Sequence, residues 1–302
     1  MLQAAERRGM KVVWDLCHYG YPDHLDIWSN EFPDCFAAYA RRLAEIVRDE
    51  STQSPVYCPI NEISFWAWAG GELGHMNPGS LGRGNELKEQ LVRAAIAATH
   101  AIRGVDPRAH FICAEPIIQV VPTHPAEADS ARAYTQSQYE ATDMLLGMCH
   151  PEIGGSPDCV DAIGVNFYPS NQWFLDRGVI PLGHHCFRPL RDMLQDLHSR
   201  YPDKEILIAE TGAEGSARAA WMYYVCSEVQ AARDNGVPVT GICLYPILDY
   251  PGWENDRPCE VGLFSGDHDR SVHPHFLAEL RRQQARLSSP TRVDSRLYPS
   301  CA

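Results

Sequence analysis

The chain has 302 residues, 45% of them hydrophobic, which suffices for one large core or two small ones. Its formal net charge of -13 argues against a nucleic-acid partner, because an acidic surface repels a phosphate backbone. No apolar run approaches the roughly 20 residues of a membrane span, and MLQAAERRGM (1–10) reads as a helix with a glycine stop, not as a secretory signal.

The first apolar run is KVVWDLCHYG (11–20), followed by a helix predicted over 34–50, where FAAYARRLAEIV repeats at helical spacing. VYCPINE (56–62) is the second run, and LVRAAIAATHAI lies in the helix predicted over 86–103. HFICAEP (110–116) precedes a helix over 130–148, and VDAIGVNFYP (160–169) precedes one over 188–200. EILIAETGA (205–213) leads into a helix over 216–235 that stops at Asn235-Gly236, with Pro238 beyond. The last run is VPVTGICLYPILDY (237–250), and a helix is predicted over 274–286. Residues 287–302 lack periodicity and read as a loose tail.

Strand, loop and helix repeated six times predicts the α/β class, with parallel strands joined by helical crossovers in a single domain over 1–286. Strands this apolar are covered on both faces. No glycine-rich phosphate loop follows any strand, which removes support for a dinucleotide or P-loop fold. The eleven cysteines show no CxxC pair; Cys17, Cys58, Cys113 and Cys243 sit in apolar runs. They read as free buried thiols in a reducing compartment, so a cytoplasmic location is expected. His184-His185-Cys186 carries ligand-type side chains, but adjacent residues seldom converge on one ion, and neither metal nor cofactor is expected.

The polar residues collect at the carboxyl ends of the runs: Asp15, His18 and Tyr19, then Asn61-Glu62, Glu115, Asn166 and Tyr168, Glu210-Thr211, and Tyr245 with Asp249 and Trp253. In a β/α barrel this is the face that carries the chemistry. Two carboxylates sharing a pocket are the minimum for glycoside hydrolysis, one protonated to donate to the leaving oxygen and one ionised to attack. Trp66, Trp68 and Trp253 offer flat faces on which sugar C–H groups pack. The competing reading of any single strand-end carboxylate is a helix cap or a solvated side chain, so the case rests on their co-location.

In this order the motifs resemble the retaining glycoside hydrolases of the large (β/α)8 clan that includes the β-glucosidase family, family 1. The resemblance implies a TIM barrel in which Asn61-Glu62 of PINE supplies the general acid/base, Glu62, and IAETG supplies the nucleophile, Glu210. It further implies that Asn166 and Tyr168 form the Asn-x-Tyr motif, the tyrosine hydrogen-bonding the nucleophile, and that His18 of LCHYG touches the sugar. Asn61 would meet the 2-hydroxyl. YPILDYPGW resembles the last-strand segment, with Tyr245, Asp249 and Trp253. Substrate contacts are therefore expected from His18, Asn61, Trp66, Asn166, Tyr168, Tyr245, Trp253 and Glu254, with a carbohydrate or glycoside as the ligand.

The chain departs from the family pattern. Ile63 stands where the family has proline, Tyr245 replaces a tryptophan, and Gly252 replaces a sugar-binding glutamate, although Glu254 is near. About six strand–helix units are present where the barrel needs eight, and the absent pair is the first two. The arginine that supports the nucleophile from the second strand is then missing, and Arg7 and Arg8 lie on the wrong element to replace it. Three explanations are open: a fragment beginning at an internal methionine, a short barrel completed by a second copy or by an N-terminal segment, or a scaffold that has lost catalysis. Two alternative functions are a non-catalytic carbohydrate-binding or interaction protein and a metal-assisted barrel hydrolase using Glu115 or Asp15.

Overall fold

A computed structural model describes residues 1–253 and 255–287. Glu254 and the tail expected over 287–302, apart from its first residue, lie outside the described residues. Six strands pair as a parallel sheet in the order β1-β2-β3-β5-β7-β8. They are β1 (Val13–Asp15), β2 (Val56–Cys58), β3 (His110–Pro116), β5 (Ala162–Asn166), β7 (Glu205–Thr211) and β8 (Val239–Leu244). Short strands β4 (Gln119–Val121) and β6 (Gln172–Phe174) pair with each other, as do β9 (Tyr250–Pro251) and β10 (Pro258–Cys259). Helices α1 (Leu2–Arg7), α2 (Glu31–Glu50), α3 (Ile63–Trp66), α4 (Gly84–Val105), α5 (Ala128–Ser137), α6 (Glu140–Leu145), α7 (Leu190–Arg200), α8 (Ala217–Asp234) and α9 (Pro274–Leu287) complete the order. The alternation read from the sequence is therefore present. The helix predicted over 130–148 is two helices, because Gln138 and Tyr139 turn inward and are buried between them.

The chain divides into two compact units. The first, residues 1–116 and 136–164, holds β1, β2 and β3. Its α2 presents Phe32, Phe36, Ala40, Ala44 and Val47 as one buried stripe at three- and four-residue spacing, and packs on α4. Register is parallel throughout, with Trp14 opposite Tyr57 and Tyr57 opposite Phe111. Among the described residues the second unit, 117–135, 165–253 and 255–287, holds β7, β8, α7, α8 and α9. There Met222, Cys226 and Phe276 form a core against Ile242, Leu244, Leu263 and Leu280. Asp249 is taken up in anchoring the segment after β8. Its carboxylate accepts the Gly262 amide at 2.6 Å, lies 3.0 Å from His273 Nε2, and faces the buried guanidinium of Arg218. Cys17, Cys58 and Cys113 are buried as expected, whereas Cys243 is exposed on β8. Among the described residues, no helix is long and apolar enough to cross a membrane.

Candidate active site

In the first unit the tip of β2 is built around a backbone turn. Val56, Tyr57 and Cys58 are buried along the strand. Beyond them Asn61 N–H donates to Cys17 O at 3.0 Å, and Glu62 N–H donates to Ala114 O at 2.8 Å, so the chain is tied to the tips of β1 and β3. Glu62 itself is left-handed, with φ 47° and ψ 59°, and α3 starts at the next residue. A non-glycine residue there costs on the order of 1 kcal/mol and persists only where the surroundings impose it. The side chains continue the pattern: Asn61 Nδ2 donates to the Tyr19 hydroxyl at 3.1 Å, and that hydroxyl donates to Glu62 Oε2. Tyr19 is also left-handed, with φ 67°. His18, beside it, has Nδ1 2.8 Å from Asp15 Oδ2 and its ring 4.5 Å from that of Tyr19.

Glu115 lies at the end of β3 in the same unit. It is only 6% exposed, and both its oxygens accept the Ser64 amide, at 3.1 and 3.3 Å. Burial raises this carboxyl from the usual 4.5 to about 8; Ser64 and Lys88 oppose the rise and the Glu62 charge adds to it. The sign of the consequence is fixed by linkage. A folded-state pKa above the unfolded one gives stability that is full below pH 4.5 and is lost as pH climbs towards 8. Glu115→Gln, which cannot ionise, is expected to flatten that fall, worth on the order of a few kcal/mol. Denaturant unfolding at pH 5 and pH 8 measures it.

In the second unit the tip of β7 carries Glu210. Its neighbour Thr211 is fully buried, and its hydroxyl donates to Phe167 O at 2.7 Å while accepting the Trp221 indole N–H at 2.9 Å. That fixes the end of β7 against α8. Gly212 is required by close approach, since a Cβ there would fall 2.1 Å from Tyr245 O. The Tyr168 hydroxyl donates to Glu210 Oε2 at 2.7 Å, the contact the resemblance implies. Tyr245 stands edge-on to Tyr168, with ring centroids 6.4 Å apart, and Tyr250 follows at 6.4 Å. Burial, then Cys259, then Trp253 by a hydrogen bond in the opposite sense, then Glu210 and Glu214, act on the Tyr250 phenol, whose net shift is upward.

Two of the expected contact residues are fully buried. Trp66 is fully buried, its indole N–H donates to Asn77 O at 2.6 Å, and Tyr19 and Tyr21 pack on it. The glycines after it serve the same packing, for a Cβ on Gly70 would meet Asn77 O at 2.4 Å. Trp68, by contrast, is exposed beside Phe65 and His75. Asn166 is likewise enclosed, with no exposed surface, and its carbonyl accepts the Ile117 amide and the Asn171 side chain. Asn61 is nearly as buried, whereas Trp253 is exposed. Sequence reasoning did not single out Tyr19 as the partner of Glu62, and the only signal was its place at the end of the first run.

His184, His185 and Cys186 do bring their ligand atoms within 4.8 Å of one another. Within this group the Cys186 amide donates to His184 Nδ1 at 3.1 Å.

No sequence-family model matches this chain, and no curated protein matches it in sequence. Its architecture does match solved structures. A hyperthermophilic β-glucosidase mutant that forms a dodecamer in its crystal aligns with a TM-score of 0.76 at 18% identity, covering 92% of this chain and 70% of that one. The β-glycosidase of the hyperthermophile Thermosphaera aggregans gives 0.76 at 18% identity over 94% and 69%. The β-glucosidase of Thermotoga maritima in complex with glucoimidazole gives 0.77 at 17% identity over 93% and 76%. This chain has the fold of the β-glucosidases. Six parallel strands with helices between them correspond to part of the (β/α)8 barrel of these β-glucosidases. In a (β/α)8 barrel the carboxyl ends of the strands form the face that carries the chemistry; in this chain Glu62 follows β2 and Glu210 lies near the end of β7.

Proposed function

We propose that this protein is a retaining glycoside hydrolase of the β-glucosidase kind. Glu210 attacks the anomeric carbon as the glycosidic C–O bond breaks, and Glu62 gives its proton to the departing oxygen. Glu62 then takes a proton from water, which attacks the glycosyl ester and frees Glu210. His18, Asn61, Tyr245 and Trp253 are the sugar contacts, and Tyr168 orients the nucleophile. No cofactor enters, since acid, base and nucleophile are all side chains. The observation that carries this reading is that two strand-tip glutamates, on a fold shared with β-glucosidases, are each held by a tyrosine hydroxyl.

Proton NMR of the first-formed product from an aryl glycoside tests it. Retention of the anomeric configuration is expected; inversion, or no hydrolysis by the folded chain, would count against it. Tyr168→Phe removes one hydrogen bond to a charged group, worth about 1.5–3 kcal/mol. We therefore expect kcat/KM to fall by roughly ten- to hundred-fold with the fold intact. Steady-state kinetics beside thermal unfolding separates the two.

A further inference from the structure

The proposed chemistry makes no use of Glu115, yet Glu115 stands against the turn that carries Glu62. The last residues of β3 grip that turn twice. The Ala114 carbonyl accepts the Glu62 amide at 2.8 Å, and the next residue's side chain, the Glu115 carboxyl, accepts the Ser64 amide. Between these two anchors the backbone holds its left-handed conformation at Glu62 and passes into α3. A buried carboxyl is an expensive way to accept one amide proton, because burial without a cation partner penalises its charged form.

We propose that Glu115 is a positioning residue for Glu62, its carboxyl acting with the Ala114 carbonyl to clamp the left-handed turn that aims the Glu62 side chain. This rests on reading Glu62 as the acid/base. Clamping the backbone on both sides of one residue restricts where its side chain points, and a misplacement of about 1 Å at a proton donor costs on the order of 10²-fold in rate. The clamp also couples the two carboxyls. The groups around Glu115 are Glu62 on the turn, Lys88 on α4, which is paired with Glu140 of α6, and the buried thiols Cys58 and Cys113. With Lys88 already engaged, Glu115 stays neutral until about pH 8, and its ionisation then sets a second negative charge beside Glu62. The two groups titrate as a pair.

The test uses Glu115→Leu, which removes the acceptor, and Glu115→Gln, which keeps an acceptor oxygen but cannot ionise. Aryl-glycoside kinetics are followed for the full chain and for both variants. Glu115→Leu is expected to lower kcat by about ten-fold or more while KM stays within about two-fold, and Glu115→Gln to recover most of kcat. The 13C carboxyl resonance of Glu62, followed against pH, is expected to show a second inflection near 8 in the parent that is absent in Glu115→Gln. If both variants lose activity only in step with their folded fraction, or Glu62 titrates in one step in the parent, Glu115 has no positioning role. Should Glu115→Leu fail to fold, the Glu62 titration in the parent and in Glu115→Gln decides. A folded parent that hydrolyses no glycoside overturns the glycosidase reading, and the same titration, which needs no turnover, still decides on Glu115.

Discussion

Glu210→Gln is expected to fold as the parent does and to lose hydrolysis of every glycoside by on the order of 10⁴-fold or more. The substitution keeps a carbonyl oxygen where Tyr168 donates, so the tip of β7 retains its contact. Thr211, tied to Phe167 and Trp221, is untouched. What is lost is the attacking oxygen and its charge, which an amide cannot supply. A shorter side chain refines the result. In Glu210→Ala the vacated space admits a small anion, and azide is expected to restore turnover with a glycosyl azide of inverted configuration as the product. Loss of activity without azide rescue and with a lowered unfolding temperature would instead show that Glu210 serves the fold.

The second large effect is one of leaving-group dependence. Glu62→Gln is expected to slow hydrolysis of alkyl and sugar aglycones by about 10²–10⁴-fold, the usual worth of a positioned acid. For a dinitrophenyl leaving group the first step needs no proton and is expected to be nearly unaffected. The loss then appears in the second step, where water has no base, so the intermediate accumulates and a pre-steady-state burst of phenol is seen. The alkaline limb of the kcat/KM profile is expected to vanish with the acid. Equal losses across all leaving groups would remove Glu62 from the acid's role and favour a binding role.

Most of the architecture was open to inspection in the sequence because its signals are local. Short Val/Ile-rich runs ending in polar residues, and the stripe at Phe32, Phe36, Ala40, Ala44 and Val47, each declare their element within one window. What could not be read there depends on what a residue meets far along the chain. Trp66 looks like a sugar platform in sequence, and only its packing on Tyr19 and Tyr21 makes it core. The break between α5 and α6 arises because Gln138 and Tyr139 are drawn into the interior, against helical propensity. The β4–β6 pair joins segments about fifty residues apart, with no periodic signal in either.

The site divides the same way. Glu62 and Glu210 are marked by position, each closing an apolar run, and their motifs carried the resemblance. Their partners divide further. Tyr168 belongs to a motif on the neighbouring strand, and its hydroxyl reaches Glu210. Tyr19 and Glu115 have no such signature: one acts through a left-handed backbone that turns its ring towards Glu62, the other through burial at the end of β3. Neither a positive φ nor a raised pKa is written in residue type.

The most direct measurement is the intact mass of the protein after incubation with a panel of 2-deoxy-2-fluoro glycosides bearing good leaving groups. The fluorine slows both steps by destabilising positive charge at the anomeric carbon, and the activated leaving group restores the first, so a glycosyl ester accumulates. A gain of one fluoroglycosyl unit is expected, with peptide mapping placing it on Glu210 and no gain in Glu210→Gln. A folded chain that gains nothing with any sugar, or an ester on another residue, would contradict the account.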